Sequence, residues 1–157
     1  MSKLLTTIIL LCFSVGANAQ LRFDFIKVTD FDFLDYVLGM SSSCPFAEQE
    51  AMDVIEGVII RSRIRAEVGY SLDHFFNEPY LDIKTTCLET RVGGRLTGYT
   101  VAYEVRFGKG NMLWDYNYGN IYTDQPNNKQ NFLNVLSIDT EAAITDFVKV
   151  NFLSDSN

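Results

Sequence analysis

The sequence predicts an α+β domain in which a mostly antiparallel sheet of about four strands carries two long helices on one face. Three observations support this fold class. Residues 80–122 contain three successive runs in which apolar and polar side chains alternate. Glycine-containing segments with turn chemistry separate the runs. A long stretch with helical periodicity lies on each side of them in the chain.

The length and composition are those of a single domain preceded by an export signal. The chain has 157 residues, of which 47% are hydrophobic, which is enough to form a core. In residues 1–19, Lys3 supplies a positive start, an apolar stretch follows, and Ala17-Asn18-Ala19 is a cleavage site of small residues. Since Cys12 follows a leucine and not a small residue, we interpret it as part of this signal and not as a lipid anchor.

We therefore expect cleavage after Ala19, a single domain over residues 20–157 and a periplasmic or secreted location. The apolar part of the signal is too short to span a bilayer as a stable helix, and no later stretch is a transmembrane candidate. Cleavage removes one lysine and no acidic residue, which changes the net charge from −7 to −8. Nucleic acid and anionic lipid surfaces repel such a chain, and we expect no nucleic-acid partner. The alternative explanation of the charge is simple solubility.

A strand and a helix are predicted before the three alternating runs. Residues 23–28 are predicted to form a strand that is added to the sheet. Ser43 or Cys44 is the expected N-cap of a helix over about residues 45–68, in which an apolar stripe recurs at helical spacing. Gly69 is the expected stop of this helix.

The three runs, residues 80–90, 97–107 and 112–122, are predicted to form an antiparallel meander. If Thr90 faces Leu96 and Phe107 faces Met112, the bulky side chains of all three strands share one face. The opposite face is then mostly polar, as expected for a sheet with helices on one side only. A closing helix is predicted over about residues 130–153.

Two cysteines remain after removal of the signal, Cys44 and Cys87. An even pair in an exported protein favours a disulfide, which would tie the start of the first helix to the first meander strand. The alternative is a pair of buried free thiols. In the chain-entropy model the disulfide contributes about 4 kcal/mol.

Two side-chain groups of the meander are candidate sites. The predicted register aligns Asp82, Glu104 and Asp115 across the polar face, and such a row of like charges is a weak candidate for a metal or a basic partner. The alternative is neutralisation by Lys84 and Arg106.

The second group is aromatic and lies on the covered face. It is a candidate groove for a small apolar ligand, because buried tyrosine hydroxyls need hydrogen-bond partners. The alternative is that the tyrosines reach over the edge of the core to water. The members of this group are Tyr99, Tyr103, Trp114, Tyr116 and Tyr118.

The chain resembles a group of small exported bacterial proteins that carry no assigned catalytic residues. The resemblance covers about residues 56–153 and depends on an arginine-rich helix end (Arg63-Ile-Arg), Pro79-Tyr-Leu at a strand opening, Trp114 in the last strand and a C-terminal helix. More loosely, the order of elements is similar to periplasmic domains of envelope accessory proteins, such as curli-export and flagellar-ring components. This resemblance implies an envelope location and assigns no site residues.

No nucleotide-binding loop, metal-ligand spacing or nucleophile motif is present, and we expect neither a cofactor nor catalysis. The favoured function is a non-catalytic exported interaction module of the cell envelope, with a protein partner or self-association. The alternative is a carrier of a small apolar ligand. An enzyme with an acidic site at Asp82, Glu104 and Asp115 is the third interpretation.

Overall fold

The structure is a computed structural model that describes residues 26–28, 33–68 and 78–152. Its elements, in chain order, are β1 (Phe33–Met40), α1 (Glu48–Arg61), β2 (Arg65–Val68), β3 (Tyr80–Val92), β4 (Arg95–Lys109), β5 (Met112–Leu113), β6 (Ile121–Asp124) and α2 (Lys129–Phe152). The predicted signal peptide lies outside the described residues.

The predicted α+β architecture is confirmed. The sheet has the strand order β2-β1-β3-β4-β5, and β6 also pairs with β4, beside β5. Strand β1 runs parallel to both of its neighbours, whereas β3, β4, β5 and β6 are joined by antiparallel pairing. Both helices pack on one face of this sheet and on each other. We call this the inner face and the opposite one the outer face.

The first strand lies later in the chain than predicted. Residues 26–28 are described and are not a strand, whereas residues 23–25 lie outside the described part. The Asn151 amide near the end of α2 holds this segment by accepting from the Val28 N–H and donating to the Ile26 carbonyl, both at 2.9 Å. The strand is β1, which has parallel neighbours on both sides, a position that suits its nearly continuous apolar sequence.

The first helix is shorter than predicted, and both of its expected ends were wrong. It begins after Ala47, whose backbone N–H donates to the Glu50 carboxylate at 2.9 Å, so the N-cap is neither Ser43 nor Cys44. It ends at Arg61 with Ser62 as its C-cap, because Arg63 adopts a left-handed conformation with φ 62°. The following residues form β2, and Gly69 lies outside the described residues.

The meander forms, but its register differs from the prediction by two residues. Leu81 faces Phe107, and Lys84 faces Glu104. The hairpin closes at Gly93 and Gly94, whose φ values of +56° and +82° are typical of a tight two-residue turn. A bulge beside Thr90 adjusts the pairing near this turn. Since a shift of two residues preserves side-chain alternation, the predicted inner and outer faces are correct.

The third predicted strand is divided into β5 and β6. Between them, residues 114–120 follow β4 through separate contacts: the Tyr118 N–H donates to the Val105 carbonyl, and the Asn117 side chain accepts from the Val105 N–H. Gly119 lies so close to β4 that a Cβ atom there would be 2.1 Å from the Tyr103 carbonyl oxygen. This contact requires glycine and accounts for the irregular path.

The core lies between the inner face and the two helices. Its largest side chains include Tyr103, Phe107, Phe132 and Phe147, all at most 2% exposed. Phe107 stacks on Phe147 with ring centroids 6.0 Å apart. Helix α2 matches the predicted closing helix to within a residue at each end. The sheet therefore has one face that is covered by helices.

Candidate interaction surface

Alternating residues of β1, β3, β4 and β6 form the outer face, and opposite charges face each other across β3 and β4. Asp82 faces Arg106, and Lys84 faces Glu104. The next row continues from Thr86 through Ala102 to Ile121. Within the described residues, both helices lie on the other side of the sheet. The outer face therefore presents a mixed charged and apolar surface.

The predicted row of three carboxylates does not form, because the register that aligned it was wrong. Asp82 faces Arg106 in place of Glu104, and Asp115 is exposed in the segment after β5. Among the described residues, no group of three His, Cys, Asp or Glu side chains is placed to hold a metal ion. In the observed register Asp82 faces Arg106 and Glu104 faces Lys84, which supports the alternative in which the two basic side chains neutralise the two acids.

Charges on the outer face still influence one another. Burial, followed by the nearby Glu104 carboxylate, raises the pKa of the Asp82 carboxyl group. The positive charges of Lys84 and Arg106 oppose this increase. The Arg106 guanidinium also contacts Glu104 at 3.7 Å along the same strand. The four side chains thus form a compact checkerboard of alternating charge.

The outer face has a groove on one side and an apolar protrusion on the other. The groove has a volume of about 400 Å³ and lies over β1, where Gly39 has no side chain between Val37 and Ser41. A Cβ atom at Gly39 would meet no heavy atom within 4 Å. Ile121 on β6 is 74% exposed and points outward in the row of Thr86 and Ala102. The groove and the protrusion lie on opposite sides of the β3–β4 pair.

The end of the β3–β4 hairpin extends beyond its neighbouring strands. The pairing of β1 with β3 ends at Thr85, and the pairing of β6 with β4 ends at Tyr99. Residues 90–98 therefore pair only with each other, and we call residues 88–98 the projecting hairpin. Two apolar side chains on it are exposed to solvent, Leu88 at 65% and Val92 at 66%. Such exposed apolar groups on a strand pair are typical of contact surfaces.

The base of the projecting hairpin is anchored by the segment before α1. The Ser41 hydroxyl accepts from the Cys87 N–H, and the Ser43 hydroxyl donates to the Cys87 carbonyl, both at 2.9 Å. The Cys44 and Cys87 sulfur atoms lie 2.06 Å apart, at disulfide-bonding distance, as the cysteine count predicts. The edge of β3 beyond its pairing with β1 therefore has the backbone groups of Cys87 satisfied by the side chains of Ser41 and Ser43.

The predicted aromatic site divides into a buried part and a rim. Tyr103 is 2% exposed, and its hydroxyl donates to the Phe132 carbonyl at 2.8 Å. Tyr99 packs edge-to-face on the same phenylalanine ring. The space between the helices and these tyrosines is occupied by core aromatic side chains, including Phe107 and Phe147. Tyr99 and Tyr103 therefore take part in the packing between the sheet and α2, and a ligand-binding role for them stays a prediction.

The other three aromatic residues cluster at the edge of the sheet. Tyr116 and Tyr118 contact edge-to-face with centroids 4.7 Å apart, and Trp114 packs against both. The Tyr118 hydroxyl donates to the Asp146 carboxylate on α2 at 3.0 Å. An open groove of about 580 Å³ lies beside this cluster, and it is lined by Tyr116, Tyr118, Ile138, Glu141, Ala142, Thr145, Asp146 and Lys149.

Reasoning from the sequence missed Gly39 and Ile121. Gly39 lies near the end of an apolar run, where glycine has several common roles, and Ile121 belonged to a run predicted as one continuous strand. The signal that identifies them is their shared position on the outer face, which depends on the register across four strands.

Comparison with known proteins assigns neither a family nor a function. No family model and no curated protein matches the chain. A crystal structure of a minor lipoprotein from Acinetobacter baumannii has 9% identity and a TM-score of 0.38, and the match covers 74% of this chain and 91% of that one. For rare lipoprotein B from Shewanella oneidensis the values are 15% identity, a TM-score of 0.28, and 73% and 89% coverage.

These TM-scores are low, and the two similarities establish neither the fold nor the function of this chain. The resemblance to small exported bacterial proteins also stays a prediction. In the part of the chain that the structure describes, no helix is long and apolar enough to cross a membrane.

Proposed function

We propose that the protein is a non-catalytic, exported interaction module of the cell envelope. The observation that carries this proposal is the combination of an outer face that no described helix covers with a projecting hairpin. Leu88 and Val92 on the hairpin and Ile121 on β6 are each at least 65% exposed. Exposing such apolar side chains to water is unfavourable, and burying them against a partner would remove this cost.

The exported location rests on residues 1–19 and on the cysteine pair. A signal peptide with a small-residue cleavage site directs a chain out of the cytoplasm. The Cys44 and Cys87 sulfurs lie at bonding distance, and disulfides persist in oxidising compartments such as the periplasm. A periplasmic or secreted protein with an exposed strand pair is suited to contact other proteins of the envelope.

Site-specific photo-crosslinking in living cells tests this function. A photoreactive residue at Val92 samples the projecting hairpin, and the same residue at Ile60, which is 63% exposed on α1, is the matched control. We expect Val92 to give a discrete cross-linked protein product, whereas Ile60 gives none. An equal absence of protein products at both positions, in a chain that stays strictly monomeric, would contradict the proposal.

A carrier of a small apolar ligand is the second candidate function. The open groove beside Tyr116, Ile138 and Ala142 supports it, because its volume suits a small molecule and these three side chains give part of its lining an apolar character. The predicted ligand position is then at the sheet edge and not between the helices and the sheet. Co-purification of a small molecule that is released by Tyr116→Ala would favour this function over the first.

A further inference from the structure

We propose that two copies of this chain associate through their outer faces, with a two-fold axis that runs parallel to the strands between β3 and β4. This inference rests on the proposed function and specifies one partner for the interaction surface. It is carried by three features of the outer face: its charges, its groove and its protrusion. Under one symmetry operation the charges meet opposite charges, and the protrusion of each copy meets the groove of the other.

The axis places β3 of each copy over β4 of the other, and residues that share a row come together. Because Lys84 faces Glu104 within one chain, Lys84 of each copy then lies over Glu104 of the second copy. The same operation places Asp82 over the second copy's Arg106. All four charges meet an opposite charge, whereas a displacement by one row would bring like charges together.

The groove and the protrusion are also matched by this axis. Strand β1 lies one strand beyond β3, and β6 lies one strand beyond β4, so each is about 7 Å from the axis at the usual strand spacing. Ile121 of one copy therefore lies over β1 of the other. It belongs to the row of Thr86, which lines the groove together with Gly39 and Ser41.

The dimensions permit this contact. Facing sheets pack about 10 Å apart, so an outward isoleucine reaches the groove beside Ser41, one row from Gly39, which has no side chain to fill the space. Aligned sheets cross at about −30°, and the groove extends along β1 from Val37 to Ser41, which accommodates that rotation. Four adjacent strands, each contributing about seven residues, cover about 450 Å² of the outer face in each copy. A contact of this size is in the range of weak protein–protein interfaces.

Analytical ultracentrifugation of the chain, expressed with its natural N-terminus, tests the dimer over low to high micromolar concentrations. We expect a reversible monomer–dimer equilibrium in the wild type. Ile121→Asp should weaken association by about 100-fold or more, because an apolar contact is lost twice in a symmetric dimer. Ile138→Asp is the matched control, since Ile138 is 63% exposed on α2, away from the outer face, and should leave the equilibrium unchanged.

A second variant tests the groove without removing any contact within the monomer. The space above Gly39 admits a larger side chain, so Gly39→Leu should fold normally and weaken the dimer by about 10-fold or more. Unchanged thermal unfolding of the monomeric variant verifies that its fold is intact. A dimer that tolerates both Gly39→Leu and Ile121→Asp would overturn the proposed interface.

Charge exchange provides the most specific test. Lys84→Glu and Glu104→Lys should each weaken self-association by roughly 10-fold, since each places two like-charge contacts in the dimer. A mixture of the two variants should form a heterodimer, because positions 84 and 104 of each copy then meet opposite charges on the other copy. A mixture that remains monomeric, or a wild type that is monomeric at every concentration, would overturn the proposal.

The experiments distinguish a failure of the proposed dimer from a failure of the proposed interaction module. A monomeric wild type that still gives a discrete protein product from Val92 would overturn the dimer and leave the interaction module standing. A dimer that fails to cross-link to any other protein would identify a second copy as the partner.

Discussion

Reduction of the Cys44–Cys87 pair should destabilise the protein by about 4 kcal/mol. The two cysteines are 43 residues apart in sequence, and the chain-entropy model assigns about this value to a loop of that length. The contacts of Ser41 and Ser43 with the Cys87 backbone do not depend on the sulfur atoms. We therefore expect the native structure to persist after reduction and the effect to arise mainly in the unfolded chain.

Urea unfolding with and without a reductant measures this difference. The wild type should unfold at a lower urea concentration when reduced, and its intact mass without reductant should be two hydrogens below that of the dithiol. The Cys44→Ala/Cys87→Ala variant is the control and should unfold identically under both conditions. A wild-type curve that does not move with the reductant, or a mass equal to that of the dithiol, would refute the reasoning.

Three further predictions concern the contacts that position the sheet and α2. Burial raises the pKa of the Asp139 carboxyl group above its ordinary value of 3.8. The stability that this group contributes is therefore greatest below pH 3.8 and is lost as the pH rises through the folded-state pKa. Urea titrations across this pH range should show that Asp139→Asn removes the pH dependence of stability, and an unchanged dependence would count against this assignment. Gly119→Ala should destabilise the fold by more than about 2 kcal/mol in thermal unfolding, since its Cβ would collide with the Tyr103 carbonyl, whereas Gly39→Ala should have little effect. Tyr103→Phe should cost about 1 kcal/mol through loss of the buried hydrogen bond to Phe132, and a melting temperature equal to that of the wild type would disagree with this contact.

Side-chain alternation predicted which face of the meander is covered but not how its strands are aligned. Leu81, Ile83, Val105 and Phe107 are buried as expected, because alternation depends only on whether a position is odd or even. A shift of two residues leaves this pattern intact, so the pattern cannot select between registers. The Gly93–Gly94 turn and the bulge beside Thr90 select the observed one.

The elements before the meander were harder to predict because their signals are weak or shared. Strand β1 has neighbours on both sides and lacks the clean alternation of a half-exposed strand. The helical pattern after Arg61 continued in the sequence, yet the left-handed Arg63 ends the helix. A positive φ at a non-glycine residue has no reliable sequence signature.

The candidate site depended on these same details. Once the register moved by two residues, Lys84 replaced Asp82 as the partner of Glu104, and the acidic row became a checkerboard. Tyr99 and Tyr103 both contact Phe132 on the distant helix α2, whereas Tyr116 is 43% exposed at the sheet edge. Contacts between segments far apart in the chain are not encoded in local periodicity.

Native mass spectrometry of the exported protein, purified without refolding, tests the central claim most directly. The interaction module predicts assemblies, either with a second copy or with another protein, that carry no additional small-molecule mass. A monomer that carries a bound small molecule would contradict it and favour the carrier with its groove beside Tyr116.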